Sequence, residues 1–139
     1  MSQVLTDSRD EVAPTQSIVY ALEGDDLIQT SQASPTIYGG GGFDVVQTLG
    51  TGRAELFGGS GGDNLSGNVD TDSIYGESGQ DLLTGGELAQ DVFASSGAIQ
   101  MAINKTSGTD YLYGGNGVDA IYGFDGGDFI YGGEDNDSN

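Results

Sequence analysis

The sequence predicts an all-β fold, a right-handed parallel β-solenoid in which two rows of nine residues form one coil of about 18 residues. Three observations support this prediction. Aliphatic residues recur at a nearly constant step of nine, glycines and aspartates fill the intervals between them, and a second column, one residue after the first, is aromatic in every second row. The first column predicts the core, the intervals predict turns, and the second column predicts two sheets.

The aliphatic column defines the core. Its steps are nine residues long except for one of 10 and one of 11. In short β-prone segments such as Thr36-Ile37-Tyr38, alternate residues face opposite sides, so that the aliphatic residue faces inward. A disordered chain, which a glycine-rich acidic composition also allows, has no reason to keep this spacing. The column comprises Val19, Ile28, Ile37, Val46, Leu56, Leu65, Ile74, Leu83, Val92, Ile103, Leu112, Ile121 and Ile130.

Glycine and aspartate define the turns. The clearest row, residues 58–66, reads Gly-Gly-Ser-Gly-Gly-Asp-Asn-Leu-Ser. Glycine takes positive φ without a steric penalty, so that glycines at the first, second and fourth positions of a row suit a tight turn. Six turn residues followed by three strand residues predict short parallel strands that are joined by turns at both edges, which is the β-roll type of solenoid.

The column that follows the aliphatic residues is aromatic in alternate rows and mostly polar in the rows between. This alternation predicts that one sheet carries the aromatic residues and the other carries the polar ones. The aromatic face has two interpretations: a ladder of rings that stabilises the sheet, or a docking face for a glycan or protein partner. The face comprises Tyr20, Tyr38, Phe57, Tyr75, Tyr113 and Tyr131, with Phe93 between the rows of Tyr75 and Tyr113.

The composition excludes several classes of protein. The 139 residues include 26 glycines, 22 acidic and only 3 basic residues, for a net charge of -19, and neither histidine nor cysteine. Without His or Cys there is no Ser-His-Asp or Cys-His nucleophile pair, no usual zinc site and no disulfide, and we expect no enzyme. Three cations are too few for a nucleic-acid surface. No apolar segment is long enough to span a membrane, and residues 1–14 do not read as a signal peptide.

The acidic turns require a counter-ion. Turns of neighbouring coils lie about 4.8 Å apart in a parallel sheet, so that their aspartates face each other. Two unit charges at this distance repel by roughly 3 to 4 kcal/mol at an effective dielectric constant near 20. Calcium takes about six to eight oxygen ligands in a flexible shell, which carboxylates and turn carbonyls supply, whereas Mg²⁺ prefers a rigid octahedron. The sequence therefore predicts Ca²⁺ between neighbouring turns.

The aspartates at the sixth position of each row fall into two columns, because alternate rows share an edge. On the first edge, the residue pairs expected to share an ion are 26/44, 44/63, 63/81 and 119/137, with Met101 between Asp81 and Asp119. On the second edge the pair 110/128 is expected, and the pairs 72/91 and 91/110 are left open, for about five to seven ions in all. The predicted ligands are Asp26, Asp44, Asp63, Asp72, Asp81, Asp110, Asp119, Asp128 and Asp137.

The rows resemble the nonapeptide Gly-Gly-x-Gly-x-Asp-x-aliphatic-x of RTX, or haemolysin-type, calcium-binding repeats over about residues 21 to 139. The resemblance implies a parallel β-roll with Ca²⁺ bound between the turns of neighbouring coils. It also implies export by a type I secretion system and an extracellular or cell-surface location. Turn carbonyls that the resemblance implies as further ligands lie around Gly24, Gly39, Gly42, Gly58, Gly61, Gly76, Gly79, Gly108, Gly114, Gly117, Gly123 and Gly126.

We expect a single domain over residues 12–139, after a segment of residues 1–11 that is flexible or caps the first coil. Residues 94–104 contain no acidic residue and are two residues too long for a row. They are therefore expected to interrupt the ion ladders, between an N-terminal block of about residues 12–93 and a C-terminal block of residues 105–139. The chain stops within a row, which leaves open whether it is a fragment of a larger protein.

These features favour a calcium-binding module that folds on binding several Ca²⁺ ions. Without the ions, the acidic chain repels itself, and ordering its glycines carries a large entropic penalty. The alternative function is a structural or adhesive spacer whose aromatic face docks a glycan or a protein.

Overall fold

The computed structural model describes residues 2–5, 11–12, 16–85, 109, 111–123, 127–133 and 138. These residues form thirteen short strands and no helix, so that none of them belongs to a helix able to cross a membrane. The strands are β1 (Ser2–Val4), β2 (Glu11–Val12), β3 (Ile18–Tyr20), β4 (Leu27–Thr30), β5 (Thr36–Gly41), β6 (Val45–Thr48), β7 (Glu55–Ser60), β8 (Asn64–Ser66), β9 (Ser73–Ser78), β10 (Leu82–Thr84), β11 (Tyr111–Asn116), β12 (Ala120–Tyr122) and β13 (Phe129–Gly133).

The strands form two parallel sheets, one of the odd-numbered and one of the even-numbered strands. Within each sheet, every strand pairs with the next strand of the same parity, so that the chain passes alternately through the two sheets. Leu27 pairs with Val45 and Thr36 with Glu55, so that one coil takes 18 or 19 residues in this part of the chain. The predicted all-β solenoid with two rows per coil is confirmed.

The predicted aliphatic column fills the space between the sheets. Its members from Val19 to Leu83, together with Leu112 and Ile121, are at most 1% exposed. Ile130 differs, because β13 is the last strand of the first sheet and has a neighbour on one side only; its exposed fraction is 37%. The thin core thus depends on each coil being covered by the next.

Two members of the predicted column do not lie between their expected neighbours. Ile74 pairs directly with Leu112 and Leu83 with Ile121, although 38 residues separate the partners at this step. The expectation that Val92 and Ile103 occupy intervening rows of these sheets is therefore wrong, and both lie outside the described residues. A regular spacing of aliphatic residues indicates that a row is compatible with the solenoid. The pairing of the strands shows which rows are neighbours within a sheet.

The start of the chain extends both sheets. β1 pairs with β3, and β2 pairs with β4, while Leu5 packs against the buried core. Ser2–Val4 and Glu11–Val12 thus continue the two sheets at their N-terminal end, while the two arrangements expected for residues 1–11, a flexible segment or a cap on the first coil, stay predictions.

Candidate metal sites

Five aspartates form a column along the first edge, where the chain turns from the first sheet into the second. Each immediately precedes a strand of the second sheet, and each is at most 2% exposed. Glycines before them allow the tight turn, and the aliphatic residue two positions later anchors the strand in the core. This first-edge column comprises Asp26, Asp44, Asp63, Asp81 and Asp119.

A ladder of hydrogen bonds joins the column. The main-chain N–H of each column aspartate from Asp26 to Asp81 donates to Oδ1 of the aspartate in the next coil, at N···O distances of 2.8 to 2.9 Å. The ladder continues from Asp81 to Asp119 at 2.8 Å. The expectation that Met101 separates these two residues is therefore wrong, because β10 and β12 are direct neighbours. The expected interruption of the ion ladders by residues 94–104 stays a prediction.

The second carboxylate oxygen, Oδ2, differs from Oδ1 in its hydrogen bonding. Oδ2 of Asp44, of Asp63 and of Asp81 is buried and has no hydrogen-bond partner among the described residues. A buried charged oxygen without a partner carries a large desolvation penalty. These atoms therefore require a proton or a cation.

First-position glycines leave room beside these oxygens. A Cβ on Gly39 would collide with Asp44 Oδ2 and would lie 2.6 Å from the carbonyl oxygen of Gly58 in the next coil. A carboxylate oxygen and a carbonyl oxygen from two successive coils thus border one space, and both are the hard oxygen donors that Ca²⁺ takes. The same arrangement holds at Gly58 with Asp63 and Gly76, at Gly76 with Asp81 and Gly114, and at Gly114 with Asp119 and Gly132.

Fourth-position glycines serve the backbone of the turn. Gly24, Gly42, Gly61, Gly79 and Gly117 all have positive φ, between 118° and 144°. A Cβ on Gly61 would collide with the carbonyl oxygen of Gly42 in the preceding coil. In the same way, a Cβ on Gly79 would collide with the carbonyl oxygen of Gly61, and a Cβ on Gly117 with that of Gly79. Glycine is thus required there by both φ and close approach. Their role as calcium ligands stays a prediction.

Burial changes the acidity of the column. It raises the pKa of Asp44 to about 7, while the hydrogen bond from Asp26 N–H acts in the opposite direction and the neighbouring carboxylates raise the pKa further. The pKa of Asp81 rises to about 6 and that of Asp63 also rises, in both cases mainly through desolvation. Without a cation, Asp44 would be protonated in a large fraction of molecules near neutral pH.

Acidic side chains alone do not make a complete site. Among the described residues, no three acidic side chains converge closely enough to hold one metal ion together. A calcium shell of about six to eight oxygens would therefore take most of its ligands from turn carbonyls. The residues fit Ca²⁺ in this respect, because carboxylate and carbonyl oxygens meet beside each first-position glycine of the column.

The second edge begins differently. Oδ1 of Asp72 accepts a 2.8 Å hydrogen bond from Ala54 N–H, and its Oδ2 accepts one of 2.7 Å from Asn68 N–H. One coil earlier, Ala54 stands where a carboxylate would be, and the turn is held by a 2.6 Å bond from Gly52 N–H to Asp70 Oδ2. Both oxygens of Asp72 thus accept main-chain hydrogen bonds, and its role as a calcium ligand stays a prediction.

Later along the second edge, carboxylates return. Ser73, which follows Asp72, pairs with Tyr111, and the open pairs 72/91 and 91/110 stay predictions because Asp91 and Asp110 lie outside the described residues. A Cβ on Gly123 would collide with Asp128 Oδ2, as in the first-edge turns. The predicted ligands Asp110, Asp137, Gly108 and Gly126, together with Asp91, lie outside the described residues.

The aromatic residues form a continuous stack on the outer face of the first sheet. From Tyr20 to Tyr113, successive ring centroids lie 4.8 to 5.1 Å apart with interplanar angles of 4° to 8°. Tyr75 stacks directly on Tyr113, so that the expectation of Phe93 between them is wrong. Tyr131 is tilted by 51° at 6.3 Å from Tyr113. Within the stack, the ring faces cover each other and the ring edges face outward.

The sequence missed two features of this region. It did not predict the contact between Asp81 and Asp119, although the excess length of residues 94–104 signals an irregular row. It also overlooked Gly67, where an added Cβ would collide with Asp72 Oδ2 and with the carbonyl oxygen of Gly85. The signal for Gly67 was its place five residues before an aspartate, the spacing of Gly39 and Asp44.

Comparison with known families agrees with this geometry. A family model described as the RTX calcium-binding nonapeptide repeat (4 copies) matches residues 18–46, 57–87 and 106–138, which is more than half of the chain. Neither the curated proteins nor the solved structures contain a match to the chain. With its rows stacked as parallel strands and its aspartates aligned at the turns, the chain belongs to the family of RTX calcium-binding nonapeptide repeats and is a Ca²⁺-binding β-roll module.

Proposed function

We propose that this chain is a calcium-dependent folding module that binds about five to seven Ca²⁺ ions between its turns. One observation carries the proposal: Oδ2 of Asp44, Asp63 and Asp81 is buried without a hydrogen-bond partner among the described residues, next to a carbonyl of the following coil. On the first edge, the column carboxylates and the turn carbonyls would hold the ions. On the second edge, Asp72, Asp110 and Asp128 would do so.

Calcium would act by neutralising charge that folding buries. Each ion brings two positive charges to a chain whose net charge is -19, and its ligands come together only in the folded turns. Ion binding and folding then form one equilibrium, and the folded state gains stability as the calcium concentration rises. Without the ion, the desolvation of the carboxylates and the entropy of the 26 glycines oppose folding.

A calcium titration of the full chain tests this function. Far-UV circular dichroism should show little strand signal in chelator and a cooperative gain with Ca²⁺, with a much weaker response to Mg²⁺. Native mass spectrometry should count several bound ions at saturation. Full strand signal in chelator that does not change with calcium would contradict the proposal.

A pair of charge-matched variants separates specific sites from general charge reduction. The combination Asp44→Asn, Asp63→Asn and Asp81→Asn removes three buried column carboxylates. The combination Glu23→Gln, Asp25→Asn and Glu55→Gln removes the same charge outside the column, from two exposed positions and from the half-buried Glu55. We expect the first to lose ions and the second to keep them. Equal ion counts in the two variants would show that the column does not hold calcium.

We further propose that the module works outside the cell, exported in an unfolded form by a type I secretion system. The support is the family membership and the dependence of folding on calcium that the buried carboxylates favour. Extracellular calcium modules bind with dissociation constants of about 10⁻⁴ to 10⁻³ M. A folding midpoint in this range would leave the chain unfolded in the cytosol, whereas one near 10⁻⁷ M would contradict export in an unfolded form.

The alternative function, docking of a glycan or protein on the aromatic face, receives less support from the ring geometry. A sugar ring stacks on the face of an aromatic ring, and the rings from Tyr20 to Tyr113 use their faces on each other. Ring edges and tyrosine hydroxyls are what the face offers to a partner. The stabilising ladder is therefore the function that we assign to these residues.

A further inference from the structure

The second position of a first-edge row has positive φ in all six rows in which the structure describes it. Glycine occupies it at Gly40, Gly59, Gly115 and Gly133, with φ between 112° and 130°. Leu22 and Glu77 occupy it in the other two rows, with φ of 77° and 76°. These two side chains stand where the other coils have glycine, at a conformation that residues with a Cβ rarely adopt.

Glycine is favoured there because the coils are close. A Cβ on Gly59 would collide with the carbonyl oxygen of Gly40, and a Cβ on Gly115 would collide with that of Glu77. The φ of Glu77 is smaller than that of any glycine at this position. A strained residue of this kind persists where the surrounding structure enforces it, and such residues cluster at functional sites.

The charge of Glu77 lies beside two column carboxylates. Glu77 follows Gly76, where an added Cβ would collide with Asp81 Oδ2. It pairs across the sheet with Gly59, which follows Gly58, where an added Cβ would collide with Asp63 Oδ2. Its charge contributes to the raised pKa of both Asp63 and Asp81. Glu77 is exposed and has no cationic partner among the described residues.

We propose that Glu77 is an affinity-determining residue of the first-edge metal sites, whose carboxylate attracts the cations bound beside Asp63 and Asp81 without ligating them. This role rests on the proposed calcium binding. We do not assign direct ligation to Glu77, because its side chain is exposed, whereas the carboxylates of the first-edge column are buried. Charge near a calcium site raises its affinity for the divalent ion.

The proposed role of Glu77 predicts effects on folding and on calcium binding that a purely structural role would not produce. In the calcium-free chain, Glu77 repels Asp63 and Asp81 and opposes folding, whereas in the calcium-loaded chain it attracts the ions. Removing its charge should therefore stabilise the folded state of the calcium-free chain and weaken the binding of calcium. A unit charge about 8 Å from a divalent ion in water changes the affinity by about fivefold. Because Glu77 is exposed, salt should screen this effect.

The decisive variant is Glu77→Gln, which keeps the side chain and the positive φ but removes the charge. At low ionic strength we expect its calcium midpoint, measured by calorimetry and circular dichroism, to rise by about fivefold. At about 1 M KCl the difference from the wild type should nearly vanish. The ion count by native mass spectrometry should not change, and the strand signal in chelator should be equal or larger.

Two glycine variants serve as matched controls. Leu22→Gly relieves positive φ at the same position of another row without a change of charge, so that its salt dependence should equal that of the wild type. Glu77→Gly relieves φ and removes the charge together, and it should show the reduced salt dependence of Glu77→Gln even if the glutamine variant folds poorly.

The possible outcomes are distinct. A wild-type chain that binds no calcium would overturn the proposed function and with it the role of Glu77. A wild-type chain that binds calcium with the same midpoint and salt dependence as both Glu77 variants would overturn the role of Glu77 alone. Loss of an ion from Glu77→Gln at saturating calcium would also overturn it, because Glu77 would then be a ligand.

Discussion

The main-chain N–H of Asp63 donates a 2.8 Å hydrogen bond to Oδ1 of Asp81 in the next coil. The same bond joins Asp44 N–H to Asp63 Oδ1 at 2.9 Å. The other oxygen, Oδ2, is directed to the space beside a first-position glycine. Each carboxylate thus uses one oxygen to align neighbouring coils and leaves the other for a cation or a proton.

Substitution of Asp63 should separate these two uses. Asp63→Asn keeps an oxygen that can accept from Asp44 N–H but loses the charge, so that it should bind fewer ions with a moderate loss of stability. Asp63→Ala also leaves the Asp44 N–H unsatisfied, which costs about 1 to 3 kcal/mol more. Denaturation in saturating calcium and native mass spectrometry measure both quantities. Asp70→Asn, on the second edge, is the control and should keep every ion; equal stability of the two Asp63 variants would contradict this view.

Acid should partly replace calcium. The pKa of Asp44 is about 7 and that of Asp81 about 6 in the folded chain, against 3.8 for the ordinary carboxyl. Between about pH 4 and 7 the folded state therefore binds more protons than the unfolded state, so that the free energy of unfolding increases as the pH falls through this range. After calcium is removed on a chelating resin, strand signal at pH 5 should exceed that at pH 8. A signal that increases with pH would refute the expectation.

Calcium binding should have the opposite pH dependence. Protons compete with the ion for the same carboxylate oxygens, so that the calcium midpoint should rise as the pH falls from 7 to 5. Asp44→Asn, which cannot take up the proton, should show a weaker pH dependence in both experiments. A calcium midpoint that does not depend on pH would mean that the buried carboxylates do not hold the ions.

The space beside Gly39 should be as important as the carboxylate. Gly39→Ala would place a methyl group against Asp44 Oδ2 and 2.6 Å from the carbonyl of Gly58, so that it should reduce the number of bound ions by at least one and weaken folding in calcium. Gly127→Ala is the matched control, because among the described residues its Cβ would meet only Thr109 Oγ1, at 3.9 Å. Native mass spectrometry of the two variants gives the comparison, and an equal count in both would contradict the importance of this space.

The aromatic stack should contribute stability rather than ion binding. Tyr75→Ser and Tyr113→Ser should each reduce the free energy of unfolding in calcium, and a double-mutant cycle should give a coupling of about 0.5 to 1.5 kcal/mol, because their rings stack at 5.1 Å. Tyr131→Ser should have a smaller effect, since its ring is tilted and 62% exposed. The ion count should stay constant. A coupling near zero would show that the rings do not act together.

The sequence predicts those features that every row repeats. The step of nine residues identified the buried positions from Ile28 to Leu83, and the alternation of aromatic residues identified the two sheets, because both patterns follow from the pleat of a strand. The same patterns placed Val92 and Ile103 in the stack, where Leu112 and Ile121 lie instead. The spacing shows that a row is compatible with the solenoid, but it does not show which strands pair with each other.

The chemistry of the site was less accessible from the sequence. The spacing placed Asp44 and Asp63 on one edge, but the different states of Oδ1 and Oδ2 depend on which atom of the next coil each oxygen meets. Likewise, Asp72 has the same position in its row as Asp63, yet Asn68 N–H satisfies its Oδ2. Such differences arise from the turn that carries the residue, which a nine-residue pattern does not describe.

The direct pairing of β9 with β11 and of β10 with β12 has a practical consequence. The register of both sheets is kept across an interval of the chain that is longer than one coil. The number of residues between Gly85 and Thr109 therefore need not match the nine-residue row for the strands on either side to pair. A foreign peptide or a small folded domain grafted into this interval should be displayed at the second edge while the rest of the molecule assembles as before.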